Sequence, residues 1–307
     1  MEQRNIGSLG VSLAGLGCNN FGWRIDAAQT AKVVDAAIDA GINFFDTADV
    51  YATGQSEEYL GRALGPRRKQ VIVATKFGLP MDEKRKGAKP AYVRQAVEDS
   101  LRRLGTDYID LYQLHRPDEG TPIADTLGAL DELVRAGKVR EIGCSNFTRA
   151  QLVEAAAALK PGAARFVSVQ NNYSLLHREP EPEVLPECVR QGLAFLPYFP
   201  LANGLLSGKY RSGQTNPAGS RAADGFGPKV FTDANLAIVE KLIGFAEARG
   251  HSLLDLAISW LAAQPAVASV IAGAKTPEQV SANAAAVAWK LSPEELQTID
   301  ALAPRTV

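Results

Sequence analysis

The sequence predicts an α/β chain folded as a (β/α)8 TIM barrel, with a short N-terminal segment capping the barrel and extra C-terminal helices. Three observations carry that prediction. Apolar strand-like runs alternate with amphipathic helix-like runs eight times along the 307 residues. The strand runs are almost continuously apolar, as parallel strands covered on both faces must be, while the helices keep their charges to one side. The turn after the first strand, "GLGCNNFG", also lacks the Gly-x-Gly-x-x-Gly spacing by which an open doubly wound sheet holds a dinucleotide. Length alone admits two ordinary domains or one large barrel. Unbroken alternation favours one barrel domain over 1–307.

In chain order, "SLAGLG" (12–17) precedes a helix over 27–40, with Gly15, Gly17 and Gly22 reading as a strand-end turn. "INFFD" (42–46) leads to a helix over 56–64, and "QVIVATK" (70–76) to one over 90–104. "YIDLYQLH" (108–115) precedes 123–136, "VREIGCS" (139–145) precedes 148–159, and "RFVSVQNN" (165–172) precedes 183–191. The last two strands, "LAFLPY" (193–198) and "VASVIAG" (267–273), feed helices over 235–249 and 277–286. Two helices stand outside the repeat. One follows the helix-ending Gly250 and opens with Ser252 and Asp255 in a capping-box pattern. The other has Ser292 at the N-cap, Pro293 at N1 and Glu295 at N3. Residues 199–234 are rich in Gly, Pro and Ser with little periodicity, and a connection of that length in a barrel usually serves as a lid or strap.

Composition sets the class of partner. With 46% hydrophobic and 22% charged residues the chain can bury a real core, unlike a disordered or fibrous sequence. Its 33 basic and 34 acidic residues show no dense basic run, which argues against nucleic acid and anionic membrane surfaces as partners. Apolar stretches such as "LLDLAISWLAA" are too short to span a bilayer, and "MEQRNIGSLG" has no apolar h-region, so a cytoplasmic location is expected. Cys18, Cys144 and Cys188 are odd in number and widely separated, which suggests reduced thiols and no zinc set.

A barrel of this kind builds its site at the C-terminal mouth, from the residues that end the strands. Those residues are Asp46, Lys76, His115, Ser145 with Asn146, Gln170 with Asn171, and Tyr198. Taken singly each has an ordinary explanation, as helix cap, solvated rim lysine or packing aromatic. Brought onto one rim, with Tyr51 five residues beyond Asp46, they form a proton-delivery group. A tyrosine hydroxyl, with a reference pKa of about 10, holds its proton at neutral pH. Lys76 would favour its phenolate, and Asp46 would hold that lysine charged. His115 could donate to the same substrate oxygen.

The group lacks a nucleophile or electron source. No Gly-x-Ser-x-Gly elbow is present, and "GCSNF" at Ser145 misses its second glycine. His115, His177 and His251 are not spaced as ligands on one element, so no metal is expected. Hydride from a nicotinamide would meet the need, the protein supplying orientation and the acid.

The same residues carry a resemblance. Asp46 and Tyr51 in "FFDTADVY", Lys76 in "IVATKFG" and His115 in "LYQLHRPD" resemble the catalytic signature of the aldo-keto reductase superfamily, bacterial-type and related in pattern to potassium-channel beta subunits. The similarity extends through "GKVREIGCSNF", "VQNNYSLL", "PYFPLANGLLSGKY" and "IAGAKTPEQVSAN". It implies an NADPH/NADP+-dependent oxidoreductase of aldehydes and ketones, with Tyr51 as proton donor, a small-molecule carbonyl substrate and no metal. A homo-oligomer is compatible with it. Ser145, Asn146 and Gln170 match positions that hold the nicotinamide carboxamide, and Tyr198 the aromatic that stacks on its ring. Pro200, Leu201, Gly204, Leu205, Ser207 and Lys209 match the pyrophosphate strap, with Arg221 as a further phosphate contact. Gly273, Lys275, Thr276, Gln279 and Asn283 fall in the adenosine-phosphate segment. Thr276 as N-cap, Pro277 at N1 and Gln279 completing a capping box would aim a helix N-terminus at a phosphate beside Lys275, which favours NADP over NAD. Relatives often carry an arginine near Gln279 and an acid at Ala282. Phe21, Trp23, Phe77 and Tyr112 are the expected substrate pocket. A nicotinamide-binding redox sensor with little turnover is the alternative, though no partner-binding extension is apparent.

Overall fold

The opening residues form an antiparallel hairpin of β1 (Gln3–Ile6) and β2 (Leu9–Ser12) in the computed structural model, which describes residues 1–211 and 230–305. Gly7 starts its turn with φ 56°, a conformation that residues bearing a side chain seldom adopt. A Cβ there would also stand 2.7 Å from Glu141 Oε1. Ile6, Leu9 and Val11 are fully buried among Phe44, Leu111 and Leu196, so the hairpin seals the floor of the barrel. Burying each such side chain stabilises by roughly 1.5–3 kcal/mol.

Above it the eight apolar runs pair in parallel as one sheet. They are β3 (Ala14–Gly17), β4 (Phe44–Asp46), β5 (Ile72–Phe77), β6 (Ile109–Leu114), β7 (Val139–Ser145), β8 (Phe166–Asn172), β9 (Ala194–Tyr198) and β10 (Val270–Gly273). Their order, β10-β3-β4-β5-β6-β7-β8-β9, runs round a circle. Phe195 of β9 closes it: its N–H donates to Ala266 O at 2.7 Å and its carbonyl accepts from Ala268 at 3.1 Å. Gly15 and Gly17 lie inside β3 and not in a turn. Space is the reason, because a Cβ on Gly15 would sit 2.7 Å from Ser269 Oγ and 3.0 Å from Phe44.

Alternation along each strand sorts side chains between the barrel interior and the helical layer. In β5, Ile72 and Ala74 join the inner core, whereas Val73 and Phe77 join the outer one. Lys76 shares the inner parity. In β6, Leu111 is inner while Tyr112 and Leu114 are outer. Gln113 and His115 follow Leu111. The interior is thus apolar at the floor and polar at the mouth.

The covering helices are α1 (Ala27–Asp39), α2 (Gln55–Leu64), α3 (Pro90–Leu104), α4 (Ile123–Arg135), α5 (Arg149–Ala157), α6 (Val184–Gln191), α7 (Asp233–Glu247), α8 (Leu253–Ala262), α9 (Pro277–Ala285) and α10 (Pro293–Leu302). Ser252 with Asp255 and Ser292 with Glu295 form both expected capping boxes. At α9 the pairing differs. Thr276 accepts from the Gln279 N–H, but Gln279 Oε1 accepts from Lys275 N–H at 2.7 Å, one residue before the cap. Among the described residues, no helix is long and apolar enough to cross a membrane.

Candidate active site

Three strands, β5, β6 and β8, place side chains near their ends on Asp46, the last residue of β4. Lys76 Nζ donates to Asp46 Oδ2 at 2.6 Å and to Thr47 O at 2.8 Å. Asp46 Oδ1 accepts from Gln113 Nε2 at 3.2 Å and from Gln170 Nε2 at 2.9 Å. All four side chains are buried. Burial works against the Lys76 charge, but Asp46 and Tyr51 outweigh it and hold the ammonium pKa above its usual value. Gln113 was not foreseen. Its signal was parity, since it shares the inner face with Leu111 and His115.

Tyr51 begins a short 3-10 turn, Tyr51–Gly54, in which Ala52 and Thr53 take φ values of 48° and 56°. That bend sets the phenol over the strand ends. Lys76 Nζ is 5.2 Å from the centre of its ring, and the His115 ring meets it edge-on with centroids 5.9 Å apart. Burial raises the Tyr51 pKa, and Lys76 lowers it by less. The lysine acts in the expected direction, yet the phenol keeps its proton at neutral pH, the form that a proton donor needs. Burial, followed by the charges of Lys76 and Arg116, lowers His115 to about 2. A neutral imidazole results, able to donate one hydrogen bond.

A cleft of about 570 Å³ runs from this group to the start of α9. Ser145, Asn146, Gln170 and Tyr198 line its inner end. They are mutually fixed: Ser145 Oγ donates to Gln170 O at 2.7 Å, Asn146 Nδ2 to His115 O at 3.0 Å, and Tyr198 Oη to Asn146 Oδ1 at 2.8 Å. Asn146 tolerates the φ of 61° that turns it inward. Pro200, Leu201, Gly204, Ser207 and Lys209 line one long wall, and Gly273, Lys275, Gln279 and Asn283 the far end.

Several expected residues lie elsewhere. Leu205 is fully buried beneath the strap, Thr276 caps α9, and Arg221 lies outside the described residues. Phe77 and Tyr112 have the outer parity, are fully buried, and stack on each other with centroids 4.7 Å apart. Phe21 is also fully buried, and Trp23 is 50% exposed, its ring 4.4 Å from the Arg24 guanidinium. None of these four lines the cleft. Arg24, Leu79, Arg116 and Phe199 do so instead, all on loops where sequence periodicity is silent.

The sequence profile of the Aldo/keto reductase family matches residues 14–304. The chain belongs to that family. This aldo-keto reductase is 35% identical to a probable voltage-gated potassium channel subunit beta of Oryza sativa subsp. japonica, over 98% of this chain and 96% of that one. It is also 35% identical to the aldo-keto reductase YhdN of Bacillus subtilis (strain 168), over 100% and 95% of the two chains. The solved structure of a glycerol dehydrogenase from Gluconobacter oxydans superposes with a TM-score of 0.84 at 33% identity, covering 98% of this chain and 95% of that one.

Aldo-keto reductases are oxidoreductases that bind nicotinamide cofactors, and carbonyl reduction is general among them. The cleft of this reductase suits such a group. Gly17 and Gly273 pair at the ends of β3 and β10, and a Cβ on Gly273 would come 3.2 Å from Asn19 Oδ1 and 3.3 Å from Asn20 Nδ2. The bare backbone leaves room for a flat ligand. Asn20 Oδ1, on the same wall, is buried with no hydrogen-bond partner among the described residues.

Proposed function

We propose that the protein reduces aldehyde or ketone carbonyls to alcohols with NADPH, Tyr51 acting as the general acid. The observation that carries this reading is the protonated Tyr51 beside the Asp46–Lys76 pair and neutral His115, at the inner end of a cleft with two lysines farther along it. When bound, the nicotinamide supplies hydride to the carbonyl carbon. Ser145, Asn146 and Gln170 would hold its carboxamide, Tyr198 its ring, and Lys209 and Lys275 its phosphates. Lys275, two residues before α9, supports a 2′-phosphate and so NADP over NAD. Tyr51 gives its proton to the substrate oxygen, and Lys76 stabilises the phenolate that remains. His115 donates a hydrogen bond to that oxygen and orients it.

Tyr51→Phe tests the assignment. Turnover of a panel of aldehydes, followed by NADPH consumption, should fall about 10²–10⁴-fold, the usual contribution of a positioned acid, while cofactor Kd stays nearly constant. A large loss of cofactor binding would instead place Tyr51 in the binding site.

The likeness to a protein named as a potassium channel subunit favours a second reading, a nicotinamide-binding redox sensor. Turnover far slower than cofactor exchange, with co-purification of a membrane channel, would establish it. The three cysteines are unbridged and buried, which accords with a cytoplasmic setting.

A further inference from the structure

We propose that the carbonyl substrate carries an anionic group, a carboxylate or a phosphate, bound at the cleft mouth by Arg116 together with Arg24; this rests on the carbonyl-reductase reading. Among the described residues, four cations line the cleft, Arg24, Arg116, Lys209 and Lys275, against one carboxylate, Asp46, which Lys76 already holds at 2.6 Å. The cations divide between two ends. Lys275 sits beside the start of α9, and Lys209 lies along the strap, its Nζ 3.7 Å from where a Cβ on Gly204 would stand. The arginines stand on the loops that leave β3 and β6.

Arg116 directly follows His115, and its charge lowers the pKa of both His115 and Tyr198. Its guanidinium therefore acts on the groups around the carbonyl. Arg24 arrives on the loop after β3. That loop is pressed on the turn holding Tyr51, since a Cβ on Gly22 would lie 3.1 Å from the Cβ of Ala52. Arg116 also has no ion pair or hydrogen bond among the described residues. Arginines elsewhere on the surface do: Arg94 with Glu132, Arg135 with Asp131, Arg211 with Glu240 and Glu247. An arginine fork on a cleft wall whose described residues offer no free acid matches the planar oxygens of a carboxylate or phosphate, and a charge-assisted bond there gains strength as the substrate displaces water.

Matched substrate pairs test the inference in the cofactor-loaded protein: 4-oxobutanoate against butanal, and glyceraldehyde 3-phosphate against glyceraldehyde. The anionic member should have a KM lower by about tenfold or more in at least one pair, the scale of one charge-assisted hydrogen bond. Which pair responds identifies the anion. Arg116→Gln should shrink that preference about tenfold, with Arg116→Lys keeping part of it. Calorimetric binding of the product 4-hydroxybutanoate, or of glycerol 3-phosphate in the phosphate arm, should weaken in the same variant. Equal KM values within both pairs, or equal losses for charged and neutral members in Arg116→Gln, would overturn the proposal. The two readings fail separately. If neutral aldehydes turn over without anion preference, this inference alone is lost. If no carbonyl turns over while the anion still binds through Arg116, the reductase reading is lost and the anion site stands.

Discussion

Asp46 ends β4 and Asp49 lies three residues on, in the loop that leaves it, and both are buried, at 3% and 1% exposure. Their surroundings are opposite. Asp46 accepts from Lys76, Gln113 and Gln170. Neither oxygen of Asp49 has a hydrogen-bond partner among the described residues. The cation that acts on it most is already engaged: Arg103 Nε donates to Glu57 at 2.6 Å, and Thr75 Oγ1 donates to the other Glu57 oxygen at 2.6 Å. Burial, reinforced by the Glu57 charge and only partly offset by the charges of Arg103 and Lys76, pushes Asp49 up to about 7. Two carboxyls three residues apart thus meet the cost of burial differently, one by gathering partners and one by keeping its proton.

The largest effect should come from removing the partner that separates them. Lys76→Met leaves the Asp46 carboxylate with amide donors only, and breaking a buried pair of this kind costs about 3–5 kcal/mol. Urea denaturation should show that loss, and adding Asp46→Asn should recover part of it, a coupling that a double-mutant cycle reads directly. A cost below about 1 kcal/mol would mean that Gln113 and Gln170 compensate the charge unaided.

Asp49→Asn should act in the opposite sense, by an amount that grows as pH rises from about 4 to about 7 and then levels off. The folded-state pKa of Asp49 is raised from 3.8 to about 7. Its favourable protonated state therefore contributes stability fully below the unfolded value, and that stability is lost as pH rises through the folded one. The variant has no such loss. Its unfolding free energy should match wild type near about pH 4 and exceed it by a few kcal/mol near about pH 8. A gap independent of pH would mean that Asp49 does not titrate in this range.

How much of this could be read in advance follows from periodicity. Parallel strands and amphipathic helices have short periods, so the barrel and the strand-end residues Asp46, Lys76, His115 and Gln170 were legible. Parity would have carried the reading further. If Lys76 points inward, Phe77 cannot, and the same step excludes Tyr112 and selects Gln113. Arg24, Leu79, Arg116 and Phe199 were out of reach, because they sit on loops whose path depends on long-range packing such as that of Gly22 on Ala52 and Gln55. The N-terminal hairpin was seen only as a cap. Its strands have four residues each, too short for a clear alternation.

Tyr112→Phe should give the smallest effect, and it probes the Asp49 side of the comparison with no change of charge. The Tyr112 hydroxyl is fully buried without a partner among the described residues, and burial, with Asp49 and Glu57, raises its pKa well above the usual value. An unsatisfied buried hydroxyl costs about 1–3 kcal/mol, of which relaxation around the phenylalanine should return up to about 1 kcal/mol. The ring keeps its stack on Phe77, so no cavity offsets the gain. Stability should therefore rise slightly or stay level, and do so equally in the Asp49→Asn background, within about 0.5 kcal/mol. A loss that disappears when Asp49 is also changed would show instead that the hydroxyl donates to that carboxyl, and the isolation of Asp49 would have to be redrawn as a weak pair.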